Sequence, residues 1–333
     1  LKSARALQIL RDRFSLSGKV LSPTRLETYA SCPFNYFLSE ILNLRPLPSP
    51  EEIRRLEPLE KGKAVHDLLC RFYQEVLKQA PGSLRPDRIG EYERILVDIA
   101  GRVFAETESR GITGASLLWE LDREEILEDL KVFLKGEVEE SEEWIPTHFE
   151  ISFGQENSFP SKSAGRPFFS LPLEGKATVA FRGRIDRIDF SRDRSRGRII
   201  DYKTGKVEGT EDGFGGGTML QLPLYLMASG QIWKHLDLEQ SLAQYVSVSR
   251  KGKFKRLLFR GGSWPDKEKK LRKIIQTISR GILEGTFFPH QQDERSCGYC
   301  DFKNICEHGT SVLFQRKKSD PRAQKFLEMM EIP

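Results

Sequence analysis

The sequence predicts an α/β protein with a mixed sheet in the middle of the chain and helices on both sides of it. Three observations carry that expectation. Apolar residues recur at helical spacing from about Leu59 to Gln79 and again through 88–143, as expected where one helix face is buried. After about Pro146 the pattern changes to alternation, beginning with His148 to Phe153, which suits strands. Helical patterns then return at about 218–228 and 266–283. Strands bracketed by helices imply a layered core, and the helices between about 80 and 145 read as an insertion into it.

Residues 1–20 read as a short helix running into a linker. Ser22-Pro23-Thr24 opens the next helix, with Pro in the first turn, where its missing N–H costs nothing. Prolines 46, 48 and 50 mark Arg45 to Pro50 as a connector. Leu59, Val65, Leu68, Leu69, Phe72 and Val76 give the next helix its apolar face, and Pro81, Gly82 and Pro86 end it. Ile95, Val97, Ile99 and Val103 mark one insertion helix, and Ile126, Leu127, Leu130, Phe133 and Leu134 another. Residues 154–172, rich in Ser, Pro and Gly, read as a loop. Ala177 to Phe190 and Arg198 to Lys203 read as two strands joined by a polar turn, Ser191 to Gly197. Gly213 to Gly217 is expected to be a flexible loop. A further hairpin is expected from Gln244 to Ser249 and Phe254 to Phe259, and a last helix near Pro321 to Met330.

Hydrophobic residues make up 38% and charged residues 30% of the 333, and no apolar run approaches the roughly 20 residues of a membrane helix. The opening Leu1-Lys2-Ser3 has neither a methionine nor a signal peptide's apolar centre, so a fragment of a longer cytoplasmic protein is expected. The net charge is only +5, but it is unevenly spread. Phe181 to Lys206 holds nine Arg or Lys against four Asp. Ser247 to Arg260 holds Arg250, Lys251, Lys253, Lys255, Arg256 and Arg260 with no acid. Such stretches suit a polyanion, whose condensed counterions are released on binding; they equally suit two solvated hairpin turns.

The informative segment is Gly183-Arg184-Ile185-Asp186 followed by Asp201-Tyr202-Lys203-Thr204-Gly205. Side chains alternate along a strand, so Asp201 and Lys203 share a face, and a hairpin can bring Asp186 beside them. Two carboxylates are hard oxygen ligands for Mg²⁺ or Mn²⁺, and the Tyr202 carbonyl can add another. A bound metal would acidify water and take up phosphate charge, with Lys203 positioning the water or sharing that charge. Taken alone, an Asp-x-Lys is more often a surface ion pair. His66, in Gly62-Lys63-Ala64-Val65-His66 on a helix, can add a nitrogen ligand that would favour Mn²⁺, although a lone helix histidine is usually structural. Gln221 and Tyr225 are four apart on one helix face and can orient the lysine or touch a DNA backbone; ordinary helix packing is their plain alternative. Glu150, on the preceding strand, can support the site.

The ordered set His66, Gly183-x-x-Asp186, Asp201-Tyr202-Lys203-Thr204-Gly205 and Gln221-x-x-x-Tyr225 resembles the PD-(D/E)XK nucleases of the RecB type. The stretch Leu21-Ser22-Pro23-Thr24-Arg25-Leu26-Glu27-Thr28-Tyr29-Ala30-Ser31-Cys32-Pro33-Phe34 resembles the start of AddB-type nuclease domains, which serve bacterial helicase–nucleases that resect broken DNA ends. The similarity spans roughly 21–306. It implies a restriction-endonuclease-like core: a central mixed sheet flanked by helices, in one domain over 1–333 with its catalytic part at 146–230. It assigns metal ligation to His66, Asp186 and Asp201 and catalysis to Lys203. Asp201 stands where many members carry Glu, but both acids occur in the pattern. The activity implied is metal-dependent exonucleolytic hydrolysis of DNA in double-strand break repair. No Gly-x-x-x-x-Gly-Lys-[Ser/Thr] loop occurs, so the motor would lie in a partner subunit or a helicase-like N-terminal region. A threading tunnel would suit the basic stretches and aromatics such as Phe254 and Tyr225.

Cys297-x-x-Cys300-x5-Cys306 offers three thiolates, and Cys32 is the natural fourth. Four thiolates serve either zinc or a [4Fe–4S] cluster, and spacing leaves both open. The AddB-type resemblance implies the iron–sulfur cluster, stapling residues 290–310 to Cys32. Closing a loop of more than 250 residues removes chain entropy. Cys70, beside Leu68 and Leu69, reads as a core thiol. Two other functions fit parts of this pattern: a non-catalytic iron–sulfur DNA-binding module, against which the complete Asp186, Asp201, Lys203 set argues, and a stand-alone CRISPR-adaptation-type nuclease, against which the helical insertion argues.

Overall fold

Ile188, Ile199 and Ile200, all fully buried, lie in the middle of a five-stranded sheet with helices on both faces. The structure, a computed structural model, describes residues 3–14, 20–46, 55–140, 143–154, 169–172, 178–290, 297–306 and 310–333. In chain order the strands are β1 (Val20–Leu21), β2 (Trp144–Phe153), β3 (Phe169–Pro172), β4 (Thr178–Phe181), β5 (Gly183–Ser191), β6 (Gly197–Lys203), β7 (Leu242–Ser247) and β8 (Arg256–Arg260). The main sheet has the order β2-β5-β6-β7-β8. Only β6 and β7 run parallel; the other neighbours are antiparallel. A parallel pair needs a long crossover, and the Gln221–Ile232 helix supplies it. Strands β5 and β6 are buried along almost their whole length, as expected for strands covered on both faces.

The long α4 (Pro58–Gln79), α5 (Ile89–Ser109) and α6 (Ser116–Glu139) cover one face. Their apolar stripes pack with Ile200, Tyr202, Val246 and Val248. On the other face α2 (Pro23–Ser31), α7 (Gln221–Ile232) and α8 (Trp264–Leu283) pack with Ile188, Ile199 and Ala243. Ile199 and Ile200 thus point to opposite layers, and Asp201 falls on the α7 side with Lys203. Ahead of α4, α3 (Pro33–Tyr36) continues as a π-turn to Ile41; the chain closes with α9 (Thr310–Lys317) and α10 (Pro321–Met330), while α1 spans Ala4–Phe14. Among the described residues no helix is long and apolar enough to cross a membrane.

Four local readings are corrected. The expected strand over Ala177–Phe190 is two strands, and β4 belongs to a separate sheet of order β1-β4-β3. The chain turns at Arg182, whose N–H is held by the Leu21 carbonyl. A Cβ on Gly183 would lie 2.7 Å from the Phe153 ring and 2.8 Å from that of Tyr225. Glycine there lets β5 pass under both rings, a packing reason for the Gly-x-x-Asp spacing. The loop expected over 154–172 ends in β3. The glycine run is a packed turn: Gly216 (φ 61) lies against the Met330 backbone, and the Phe214 and Gly216 N–H groups donate to the Pro333 and Ile332 carbonyls. Its glycines serve close approach, which local sequence cannot distinguish from mobility. Cys70 is half-buried at the helix surface, with Gln74 donating to its sulfur.

Candidate active site

Four elements bring the candidate residues to one place. The α4 helix carries His66, β5 carries Asp186, β6 carries Asp201, Tyr202 and Lys203, and α7 opens with Gln221. His66 Nδ1 lies 3.3 Å from Asp186 Oδ1, and its Nε2 lies 3.1 Å from the Tyr202 carbonyl oxygen. Asp186 Oδ2 accepts from the Tyr202 N–H at 2.8 Å. Lys203 Nζ sits 2.5 Å from Asp201 Oδ2 and 3.4 Å from Gln221 Oε1, above the Tyr245 ring at 4.7 Å. The Gln221 amide donates to Asp201 Oδ1 and, at 3.2 Å, to the Tyr225 hydroxyl. The Asp201–Lys203 contact is therefore an ion pair, but not a surface one, because Asp201 is 3% exposed. Lys203 approaches Asp201 Oδ2 off the line a hydrogen bond needs, so this buried oxygen lacks an aligned donor.

The electrostatics are those of crowded acids. Burial and the neighbouring Asp186 push the Asp201 carboxyl up, against Lys203 and His66. Burial and Asp186 push Glu150 up to about 7, against Arg184 and His66. Burial works against a charged His66, yet Asp186, Asp201 and Glu150 leave its pKa raised. His66, Glu150 and Asp186 offer ligand atoms that all lie within 4.8 Å of one another. Glu150, which the sequence suggests only as support, thus faces the same space. Its φ of 51 is unusual for a glutamate in a strand, and such strain is commonly kept where it aims a functional group. The donor set matches a divalent cation: two or three carboxylates, one imidazole and one backbone carbonyl with too little positive charge among them.

Sequence reasoning assigns Glu27 no role. It lies on α2, half-buried, and its Oε1 accepts from the N–H groups of Leu220 and Gln221 at 2.7 and 2.8 Å. It closes the first turn of α7 and so fixes where Gln221 begins. Burial pushes its carboxyl up, offset by those two backbone donors and by Lys203. Nothing local marks it; its partners are more than 190 residues away. Tyr245, which donates to Gln221 Oε1 at 3.3 Å, is also outside the sequence reading, since it joins the site only through the parallel pairing of β7 with β6.

Tyr225 does not line a tunnel. It is 5% exposed and edge-on to Phe153 in the core, and Phe254 is partly buried against the α4–α6 layer. Much of the basic excess is internal: Arg187 pairs with Glu137 and Asp189, and Arg198 with Asp189, all buried.

The four cysteines meet at the far end of α2. Cys32 follows that helix, and its sulfur accepts from the N–H groups of Asn35 and His290. The Asn35 side chain reaches across to the Cys300 sulfur at 3.6 Å. Burial, then Cys32, Cys300 and Cys297, raise the Cys306 pKa, so all four thiols lie within electrostatic reach. Residues 291–296 and 307–309 of the expected staple lie outside the described residues.

Known proteins place these features in a family. The chain is similar over 224 residues, at 30% identity, to the B subunit of the ATP-dependent helicase/deoxyribonuclease of Carboxydothermus hydrogenoformans, covering 65% of this chain and 19% of that protein. It is 32% identical over 215 residues to the protein of the same name from Symbiobacterium thermophilum, covering 63% of this chain and 17% of that one. The chain thus spans about a fifth of the length of these relatives. The model of the PD-(D/E)XK nuclease superfamily matches residues 20–307, which include every candidate ligand and all four cysteines. With that match and the mixed five-stranded sheet between helices, the chain belongs to the PD-(D/E)XK nuclease superfamily.

Proposed function

We propose that the chain is a Mg²⁺- or Mn²⁺-dependent deoxyribonuclease that cuts DNA as an exonuclease, as the cutting part of a helicase–nuclease in double-strand break repair. One observation carries the reading: His66, Asp186 and Asp201 converge from three elements beside the Tyr202 carbonyl and Lys203, with excess negative charge. His66, Asp186, Asp201 and the Tyr202 carbonyl would hold the cation, with Glu150 as an additional oxygen donor. A divalent cation supplies there a Lewis acid that acidifies water and takes up phosphate charge. The imidazole tilts the choice toward Mn²⁺. Lys203, steadied by Gln221 and the Tyr245 ring, positions the attacking water or shares the charge on the phosphate. Gln221 contacts both Asp201 and Lys203 and so fixes their pairing, and Tyr225 anchors Gln221.

The four cysteines are proposed to hold a [4Fe–4S] cluster that clamps α2 to the C-terminal segment. The Asn35 bridge from Cys32 to Cys300 and the mutual influence of the four thiols support one shared centre, and the resemblance to AddB-type nuclease domains supports iron over zinc. The names of the relatives, which join a helicase to a deoxyribonuclease, support a helicase partner or helicase-like region.

The test is degradation of end-labelled single-stranded DNA with Mg²⁺ or Mn²⁺ by the wild-type chain and by Asp186→Ala. Metal-dependent loss of label that Asp186→Ala abolishes is expected. No degradation with either metal, or equal degradation by the variant, sinks the reading.

A further inference from the structure

The cations after β6 and around the β7–β8 turn fall into two classes. Arg250, Arg256 and Arg260 are all held by carboxylates: Asp129 at 2.7 Å, Glu137 at 2.8 Å and Asp212 at 2.7 Å. Lys206, Lys251, Lys253 and Lys255 are exposed, and among the described residues none of the four makes an ion pair. These four line one depression of about 490 Å³, with Glu208 as the one acid in its wall. A run that looks uniformly basic in sequence is thus sorted. Its arginines hold the protein together and its lysines are left facing solvent at one point.

This depression is fixed to the candidate active site. The Ser249 and Ser247 hydroxyls donate to the carbonyls of Thr204 and Gly205 at 2.9 and 3.0 Å, and the Val248 N–H donates to that of Lys203 at 3.0 Å. A Cβ on Gly252 would come within 2.3 Å of the Gly205 carbonyl. The turn therefore sits directly on the segment that follows Lys203. Lys206 is three residues past Lys203, at most ~10 Å of extended chain. Lys253 and Phe254 are consecutive non-glycine residues with φ of 58 and 51, a conformation costing about 1 kcal/mol or more each and kept where the surroundings enforce it. It displays Lys251, Lys253 and Lys255 around the depression while Phe254 packs inward.

We propose that this four-lysine depression is a binding site for the phosphodiester backbone of the DNA strand being cut, setting its position relative to Lys203. The identity of the polyanion rests on the deoxyribonuclease reading above. With four ammonium groups and no aromatic platform among its lining residues, the site takes phosphates rather than bases, so its contribution is independent of sequence.

The experiment is fluorescence anisotropy of a labelled oligothymidylate in EDTA, with salt varied. For a single strand each neutralised phosphate contributes about 0.7 to the slope of log affinity against log salt, so four lysines account for about 2.8, or roughly a 50-fold loss from about 50 to 200 mM salt. The variant K206Q/K251Q/K253Q/K255Q should lower the slope by about 2 or more, and K251Q/K255Q by about 1.4. A control, K269Q/K270Q/K273Q on exposed positions of α8, should leave it unchanged. A wild-type chain that fails to bind the strand, a quadruple variant with the wild-type slope, or a control that lowers it equally would each overturn the proposal. Binding in EDTA needs no cleavage. A chain that binds through the lysines yet cuts with neither metal refutes the nuclease reading alone, and one that cuts while the quadruple variant keeps its slope refutes the depression alone.

Discussion

Replacing Arg187 with Met should be among the most destabilising single changes in this protein, although Arg187 touches no candidate ligand atom. Its side chain is 1% exposed. It donates to Asp189 at 2.6 and 2.7 Å, to Glu137 at 2.6 Å and to the Tyr202 hydroxyl at 3.2 Å, and its guanidinium lies 4.1 Å from the Tyr73 ring centre. Arg187→Met keeps the volume but leaves Glu137 with Arg256, and Asp189 with Arg198, as single cations. Breaking one member of a buried ionic group costs about 3–5 kcal/mol. Burial alone would raise Glu137; Arg187, Arg198 and Arg256 overcome it and hold the carboxyl at about 2, against an ordinary 4.5. That net depression corresponds to about 3 kcal/mol left after the cations have offset burial; Arg187 is the foremost of the three cations, and its loss removes the Asp189 and Tyr202 contacts in addition. Urea unfolding followed by circular dichroism should show a loss of about 3–5 kcal/mol at pH 7. A carboxyl with a depressed native pKa stabilises above its unfolded value and loses that contribution as the pH falls. The wild-type advantage should therefore be complete above about pH 5 and shrink between about 4.5 and 2. A loss under about 1 kcal/mol at pH 7, or one that stays constant down to pH 3, would refute the assignment of these groups as a buried charged network.

Three further outcomes follow from the same geometry. Glu27→Ala removes the acceptor for the Leu220 and Gln221 N–H groups at the start of α7 and should cost about 1–2 kcal/mol and lower the rate of DNA cleavage; Glu27→Gln, which keeps an acceptor oxygen, should restore most of both. Equal rates for Glu27→Ala and wild type in single-turnover assays would show that Gln221 does not depend on this cap. Anaerobically purified protein should be brown with about four irons per chain, and Cys32→Ser should lose the iron and melt earlier; a colourless wild-type protein carrying zinc would contradict the cluster. Mn²⁺ or Mg²⁺ at about ten times its dissociation constant should stabilise the fold by about 1.4 kcal/mol, seen as a higher melting temperature that Asp186→Ala does not show.

What was legible in the sequence follows the reach of each signal. Strand periodicity is local, so the shared face of Asp201 and Lys203 was readable, and Gln221 and Tyr225 could be placed on one helix face. His66 needed the ordered motif set, because nothing near it reveals that α4 lies across β5 and β6. Arg187 shows the opposite case. The sequence groups it with the other cations of Phe181 to Lys206, because its partner Glu137 lies 50 residues earlier on α6. Alternation could not reveal the β4–β5 break either, since the pattern is similar on both sides of Arg182. The Gly213–Gly217 run looked flexible because glycine permits both a loose loop and a close approach, and the contact that decides between them comes from the chain's last residues.

The same limit of reach explains why α2 was recognised by resemblance but not understood from chemistry. Its middle presents Glu27 to the N-terminal amides of α7, and its end leads directly into Cys32. One nine-residue helix therefore spans from the cysteine cluster to the residue that sets Gln221 against Asp201 and Lys203. A cluster on Cys32 would restrain the helix from its C-terminal end, and the cap on α7 restrains it through Glu27. The α2 motif and the Gln221-x-x-x-Tyr225 motif then read as two halves of one support for the catalytic strand. On that view Cys32→Ser should reduce cleavage through Gln221 even where the sheet stays folded, and Glu27→Ala should add little to its effect. Full additivity of the two variants in cleavage rate would separate the cluster from the active site.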